Sequence, residues 1–430
     1  MSRPNPIRCL TRTFLGVWLA ARGALGDVAT KESGPTIDFA RPPVVFPTTA
    51  EQSSSWTSAC SFRHPICVHA TLAVPHVQSL ASLAAADRAW DVLTGALALV
   101  APESDLGGVW NAYLVEDVPG GGLGLLEGRD PRSHFDRGTT FGLIDRAIPA
   151  GCMLDRALAR ALARASLWAA APATDEGSAR AQSETLARLA VPCEGDDEDR
   201  QEFQSHPERT LVDPSSYQFD RGASLFFDWL DATFARDPGG LVRGLWALAP
   251  TRTPPRSSLW SATPATFDVL RVSLNGTRSI GYALDDIFAR FAIARAGSSP
   301  SVRISWHLPW PAQARRLESP EPVSPSGASY VVVDHAGAPQ GAKLRLEAQW
   351  EDYGRMRWSV AKLDAAGKAI AELQVTSADR ATRASLTVES LEAVDRVLIV
   401  GVNVGSTEQP FDPDQGEWEP HGWLLTIESQ

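Results

Sequence analysis

The chain has 430 residues, of which 44% are apolar and 21% charged, with a formal net charge of −11. That is enough chain for two or three domains with sizeable cores, and the composition is that of a folded protein rather than a disordered one. An acidic balance with no basic face excludes recognition of a phosphate backbone, so nucleic acid is not an expected partner.

The first residues have targeting character. Arg3, Arg8 and Arg12 precede an apolar run from Phe14 to Ala21, and Ala24-Leu25-Gly26 offers a small-x-small cleavage site. The run is too short to span a bilayer, so residues 1–26 are expected to be a removable signal peptide. The mature chain is then secreted, periplasmic or in the cell envelope, with no membrane span. Residues 27–57, rich in Pro, Ser and Thr, read as a linker or N-terminal arm. Cys9 leaves with the signal, and Cys60, Cys67, Cys152 and Cys193 remain. Four cysteines allow three connectivities, with 60–67 and 152–193 the natural pairs. No Cys-x-x-Cys occurs, so a zinc site built from them is not expected.

Ile66–Leu72 alternates at strand spacing. Val77 to about Val100 reads as an Ala/Leu-rich helix ended by Pro102, and Val109–Val115 as the next strand. Gly120 to Gly124 reads as a turn between strands. No Gly-Lys-Ser/Thr follows it, so it is not a phosphate loop. Thr139–Asp145 is expected to be an edge strand. Two long helices follow, near 150–170 and 175–190. Glu194–Asp199 lacks the alternating ligand spacing of a calcium loop and reads as a solvated loop. Further helices are expected at about 217–235, 239–249 and 279–295. After Gly297 the pattern changes to alternating segments separated by Gly, Asp and Pro: Tyr330–Val333, Lys343–Leu346, Arg357–Val360, Ser385–Val388 and Arg396–Val402. These predict a β-sandwich over 300–430. Trp306, Trp310, Trp350, Trp358 and Trp423 are expected to pack in its core rather than to present a carbohydrate platform.

The second long helix opens with Thr174-Asp175-Glu176-Gly177-Ser178-Ala179. Before it run a strand ending in Cys-Val-His, a helix, the strand Tyr-Leu-Val, the strand Phe-Gly-Leu-Ile-Asp and a long helix. After it come Tyr217-x-x-x-x-Gly222-Ala-Ser-Leu-Phe-Phe-Asp-Trp-Leu230 and then the β segments. Over about residues 58–295 this order resembles secreted bacterial gluzincin-type metallopeptidases. The resemblance implies an α+β fold, a zincin-like domain over 58–297 followed by an all-β sandwich. It also puts Glu176 at the position of the third zinc ligand, with Tyr217 approaching the same site.

The chain departs from that family where the chemistry lies. A His-Glu-x-x-His site needs two histidines one helical turn apart and a glutamate as general base on zinc-bound water. The eight histidines include no pair spaced i, i+4. Counting back from Glu176 by the family's spacing, the motif falls on Met153–Ala157 or a few residues later; neither choice supplies a nitrogen ligand, and Asp155 is the one carboxylate there. Asp155 and Glu176 are too few ligands for zinc. A rebuilt site would have to draw His134 or His206 from outside the helix pair.

Arg156, Arg160 and Arg164 recur at i, i+4, i+8 and form one stripe; Leu154, Leu158 and Leu162 form another. Without a dication, the carboxylates of the facing helix, Asp175, Glu176 and Glu184, would be unneutralised in a partly desolvated cleft. A guanidinium can fill that place with bidentate geometry. The hypothesis set beside the plain reading is that one or more of these arginines pairs with Glu176 or Glu184. That plain reading is a solvated amphipathic face. The expected function is non-catalytic: a pseudopeptidase with no catalytic residue and no cofactor. Its vestigial site comprises Asp155, Arg156, Arg160, Arg164, Glu176, Glu184 and Tyr217. It would bind a peptide or protein that adds along Thr139–Asp145. The alternatives are an active metallopeptidase or hydrolase with a rebuilt zinc site, and a structural envelope protein.

Overall fold

Trp56–Cys60 (β1) and Ile66–Thr71 (β2) form an antiparallel hairpin in which Cys60 and Cys67 are register partners. Their disulfide closes the hairpin, and a second one joins Cys152 to Cys193. The computed structural model describes residues 56–103, 108–116, 118, 123–126, 139–170, 176–193, 197–211, 217–248, 266–275, 283–298, 302–351, 354–375, 381–405 and 420–430. The signal peptide expected at 1–26 and the arm up to residue 55 lie outside the described residues.

The hairpin belongs to a five-stranded sheet of order β1-β2-β3-β5-β4, with β3 at Trp110–Val115, β4 at Leu123–Leu126 and β5 at Thr139–Asp145. Strands β2, β3 and β5 are parallel, and β4 runs antiparallel to β5. This corrects two expectations. Thr139–Asp145 is an interior strand, flanked by β3 and β4. Among the described residues, the terminal strand on that side of the sheet is β4, which takes up part of the glycine-rich run read as a turn.

Helix α1 (His76–Trp90) connects β2 to β3 and is followed by a π-helical turn at Asp91–Ala96, so the helix expected to reach Val100 is shorter and changes its winding. Helix α2 (Cys152–Ala170) contains no Gly or Pro, carries Asp155 in its first turn and stops before Pro172. Helix α3 (Glu176–Ala190) stops two residues before Pro192. Ile66, Val68, Ala70, Trp110, Ala112 and Leu114 of the sheet share one core with Leu154, Leu158 and Leu162 of α2. Gly142 of β5 makes room for that packing: a Cβ there would come within 2.8 Å of the Trp110 ring and 3.5 Å of Ala161 on α2.

The remaining helices are α4 (Asp197–Ser205), α5 (Tyr217–Gly222), α6 (Ser224–Phe234), α7 (Gly240–Leu248), α8 (Thr266–Asn275) and α9 (Leu284–Ser298). Part of the acidic run expected to be a loop is thus the first turn of α4. The single helix expected over 217–235 is two, broken after Gly222. A Cβ on Gly222 would sit 2.2 Å from the Asp199 carbonyl oxygen and 2.5 Å from the Phe203 Cβ, so α4 touches backbone there.

The C-terminal part is two antiparallel-rich sheets. One has order β11-β10-β13-β8-β6, the other β12-β9-β14-β7. Their strands are β6 Trp306–Leu308, β7 Arg315–Glu318, β8 Ala328–Asp334, β9 Leu344–Trp350, β10 Met356–Leu363, β11 Ala369–Val375, β12 Arg383–Val388, β13 Arg396–Asn403 and β14 Trp423–Ser429. Val331, Val360 and Ile399 of the first sheet pack on Leu346, Leu425 and Ile427 of the second. Trp350, Trp358 and Trp423 are buried in that layer, whereas Trp306 and Trp310 are half-buried at its margin.

The other face of the first sheet does not meet water. Tyr330, Val332, Leu398 and Val400 join the core of the helical part, and the Tyr330 hydroxyl donates to the Ala292 carbonyl of α9 at 2.9 Å. Ala328 N donates to the Pro207 carbonyl at 2.7 Å and Ser324 N to the Glu208 carbonyl at 2.8 Å. Pro43–Gln430 is accordingly one compact unit, although the composition shifts near residue 300.

Candidate functional site

Of the seven residues singled out from sequence, Asp155, Arg156, Arg160, Arg164, Glu176 and Glu184 lie on the α2–α3 hairpin and Tyr217 opens α5. The hairpin's two helices run antiparallel, and the Cys152–Cys193 disulfide ties the start of α2 to the segment after α3. Residues near 156 therefore face residues near 190, and Glu176, the first residue of α3, lies at the opposite end. Glu176 and Glu184 are eight residues apart, about 12 Å along the helix. Met153–Ala157 consequently cannot share a metal site with Glu176, which corrects the earlier of the two placements drawn from sequence spacing. The side chains of Glu176 and Tyr217 lie outside the described residues.

Glu184 is the centre of the seam. Its side chain is 2% exposed and meets three guanidinium groups. Arg156 Nη1 lies 3.4 Å from Oε1, Arg160 Nε donates to Oε2, and Arg188 Nε lies 3.6 Å from Oε1. Arg156 is as buried as Glu184. It also donates from Nε to the Val191 carbonyl at 2.9 Å and from Nη2 to the Cys193 carbonyl at 3.0 Å. These carbonyls follow the last turn of α3, where a cation is favoured by the helix dipole as well. Arg164 is buried further along the same stripe. The stripe is therefore an interior surface and not a solvated face. Asp155 points elsewhere, accepting from Arg88 Nη2 of α1 at 2.6 Å.

The network extends beyond the residues singled out from sequence. Arg188 also binds Asp228 Oδ2 and donates to Ser224 Oγ at 2.5 Å, both on α6. Burial pushes the Asp228 carboxyl up from its ordinary range, against the pull of Arg188. Arg180 Nη1 meets the fully buried Asp220 of α5 at 2.6 Å. Arg180, Glu184 and Arg188 recur at i, i+4, i+8 on α3, the counterpart of the stripe on α2. That spacing was available in the sequence and is the signal that would have found Arg188.

This donor set does not fit zinc. Glu184 is engaged by cations, its neighbours on α2 are arginines rather than imidazoles, and Cys152 and Cys193 are joined as a disulfide. Among the described residues, no three His, Cys, Asp or Glu side chains are grouped to hold a metal ion. His206 instead faces Glu208 at 3.3 Å, at the junction with the β-sheets, and His134 lies outside the described residues.

No protein-family model matches the chain, and no curated protein matches it. Among solved structures, the pre-peptidase C-terminal domain of collagenase from Bacillus anthracis is 7% identical and covers 29% of this chain and 97% of its own, with a TM-score of 0.19. The enzymatically active domain of tailspike protein 4 from bacteriophage CBA120 is 12% identical, with 27% of this chain and 19% of that one covered and a TM-score of 0.17. Neither score supports an argument about fold or function. No helix among the described residues is long and apolar enough to cross a membrane.

Proposed function

We propose that this is an exported relative of gluzincin-type metallopeptidases, catalytically inactive as a metallopeptidase, in which an arginine–glutamate cluster occupies the helix pair that would carry zinc. The observation that carries this reading is Glu184 bound by Arg156, Arg160 and Arg188 in a buried seam. A dication placed there would be repelled by three guanidinium groups at close range. The guanidiniums themselves supply the neutralisation that a carboxylate in a desolvated site requires. The two disulfides fit folding in an oxidising compartment outside the cytoplasm.

Without zinc chemistry, the role left to this cleft is binding. Among the described residues β4 ends the sheet beside Thr139–Asp145, so on that side an extended peptide would add as a further strand to β4 rather than to Thr139–Asp145. Amide hydrogen exchange in the presence of a random-sequence peptide library tests this. Added protection centred on 123–126 supports peptide capture; protection elsewhere, or none, rejects it.

A further inference from the structure

On the sheet face turned away from α1 and α2, three polar side chains from three adjacent strands form a chain. Ile66, Val68 and Ala70 of β2 and Trp110 and Ala112 of β3 point into the helix-facing core, so the intervening His69 and Asn111 point to the opposite face. Ser58 of β1 is the cross-strand partner of His69 and shares that face. The Ser58 Oγ lies 2.7 Å from His69 Nδ1, and His69 Nε2 lies 2.8 Å from Asn111 Oδ1.

The order of these contacts sets the tautomer. An amide oxygen only accepts, so the ring proton sits on Nε2 and Nδ1 keeps its lone pair toward Ser58. The Ser58 hydroxyl donates to Nδ1. A hydroxyl on an imidazole, with the imidazole fixed from its far side by a third group, is the arrangement that activates a serine nucleophile. Exposure runs in the matching order: Ser58 is exposed, His69 half-buried and Asn111 buried. Tyr113 stacks on the His69 ring at 4.8 Å and holds its plane, and Trp56 meets Tyr113 edge-on at 5.5 Å. These rings form an apolar wall beside Ser58. Among the described strands β1 is terminal, so alternate backbone N–H groups point outward from the sheet toward an incoming carbonyl oxygen.

We propose that Ser58 is the nucleophile of an acyl-transfer site, with His69 as its general base and Asn111 as the positioning residue, acting on esters with an apolar or aromatic acyl group. Ser58 Oγ adds to the ester carbonyl carbon while its proton passes to His69 Nδ1. The carbon–oxygen bond to the alcohol then breaks, and the departing oxygen takes that proton. Water adds to the acyl-serine by the same route, releasing the carboxylic acid and restoring the serine hydroxyl. This site is separate from the α2–α3 seam and does not depend on how that seam is read.

The test is labelling of the full chain with a fluorophosphonate, followed by peptide mapping. The expected result is one adduct at Ser58, absent in Ser58→Ala. The labelling rate should rise with pH through imidazole ionisation and fall about 100-fold or more in His69→Gln. Asn111→Ala should shift the midpoint of that pH profile downward, because the imidazolium loses an acceptor; a purely structural role would leave the midpoint in place. Folded protein with Ser58 unmodified, or modified equally fast in His69→Gln, overturns the proposal. If His69→Gln does not fold, the native profile decides: a rate that does not change across imidazole ionisation overturns it as well.

Discussion

Arg160 of α2 donates its Nε–H to Glu184 Oε2 of α3, and this contact lies in the middle of an interhelical seam from which solvent is almost excluded. Two opposite charges in such a place are stable only because their geometry and partners offset the cost of dehydrating both. Here Arg156, Arg188 and the carbonyls after α3 complete the shell. The arrangement makes Glu184 the residue whose loss should matter most.

Glu184→Gln keeps the shape and removes the charge, leaving guanidinium groups buried against a neutral amide. The expected loss is about 3–5 kcal/mol, read from the urea unfolding midpoint. Glu176→Gln, at the first position of α3, should cost about 1 kcal/mol or less, the scale of a first-turn carboxylate in the helix dipole. Equal effects of the two would contradict the assignment of Glu184 as the centre.

Reduction of Cys152–Cys193 should be felt at the same seam. The bridge spans 41 residues and holds the segment whose Cys193 carbonyl receives Arg156. The double variant Cys152→Ser, Cys193→Ser should lose about 2–4 kcal/mol. Thermal unfolding with and without reductant should show the wild-type chain falling toward the variant.

Gly222→Ala places a methyl group on the Asp199 carbonyl and the Phe203 side chain, both on α4. Because one of these is backbone, the clash is not relieved by a rotamer change. A loss of about 1–3 kcal/mol is expected, whereas Gly244→Ala, where a Cβ would meet nothing within 4 Å, should be neutral or stabilising.

Tyr330 is fully buried, and burial pushes its hydroxyl up to about 12. The unfolded chain releases that proton near 10, so between about 10 and 12 the native state holds a proton that the unfolded state has lost. Stability from this group is complete below 10 and falls as pH rises through that window. Arg295, brought down to about 10 by burial, acts in the opposite sense there. Tyr330→Phe should remove the tyrosine share of the alkaline fall, measured as the pH dependence of the unfolding free energy, and should cost about 1 kcal/mol at neutral pH through the lost hydrogen bond to Ala292.

The parts of the fold with a local period were readable from sequence. Ile66–Leu72 alternates because one face meets α1 and α2, and the leucine stripe of α2 recurs every four residues for the same reason. The cysteine pairs followed from their places beside a short loop and a helix hairpin. The four-residue β4 was hidden, because its glycine sits in a run that reads as a turn, and so β5 was assigned the edge. The break at Gly222 was hidden too, since it answers to the backbone of α4 rather than to any local signal. The docking of the β-sheets on α9 shows only as the unbroken apolar run of β8, which is buried on both faces. At the site, the Glu-Gly-x-Ala motif points to Glu176, whereas the i, i+4 spacing of Arg180, Glu184 and Arg188 marks the buried charged stripe in which Glu184 faces the arginines of α2.

In the proposed reading, guanidinium groups stand where a metal would be required. Its most direct test is the zinc content of the purified full chain after equilibration with zinc and exhaustive dialysis, by mass spectrometry of the elements. Substoichiometric zinc, unchanged in Glu184→Gln, is the expected result. One equivalent of retained zinc, lost in Glu184→Gln, would contradict it.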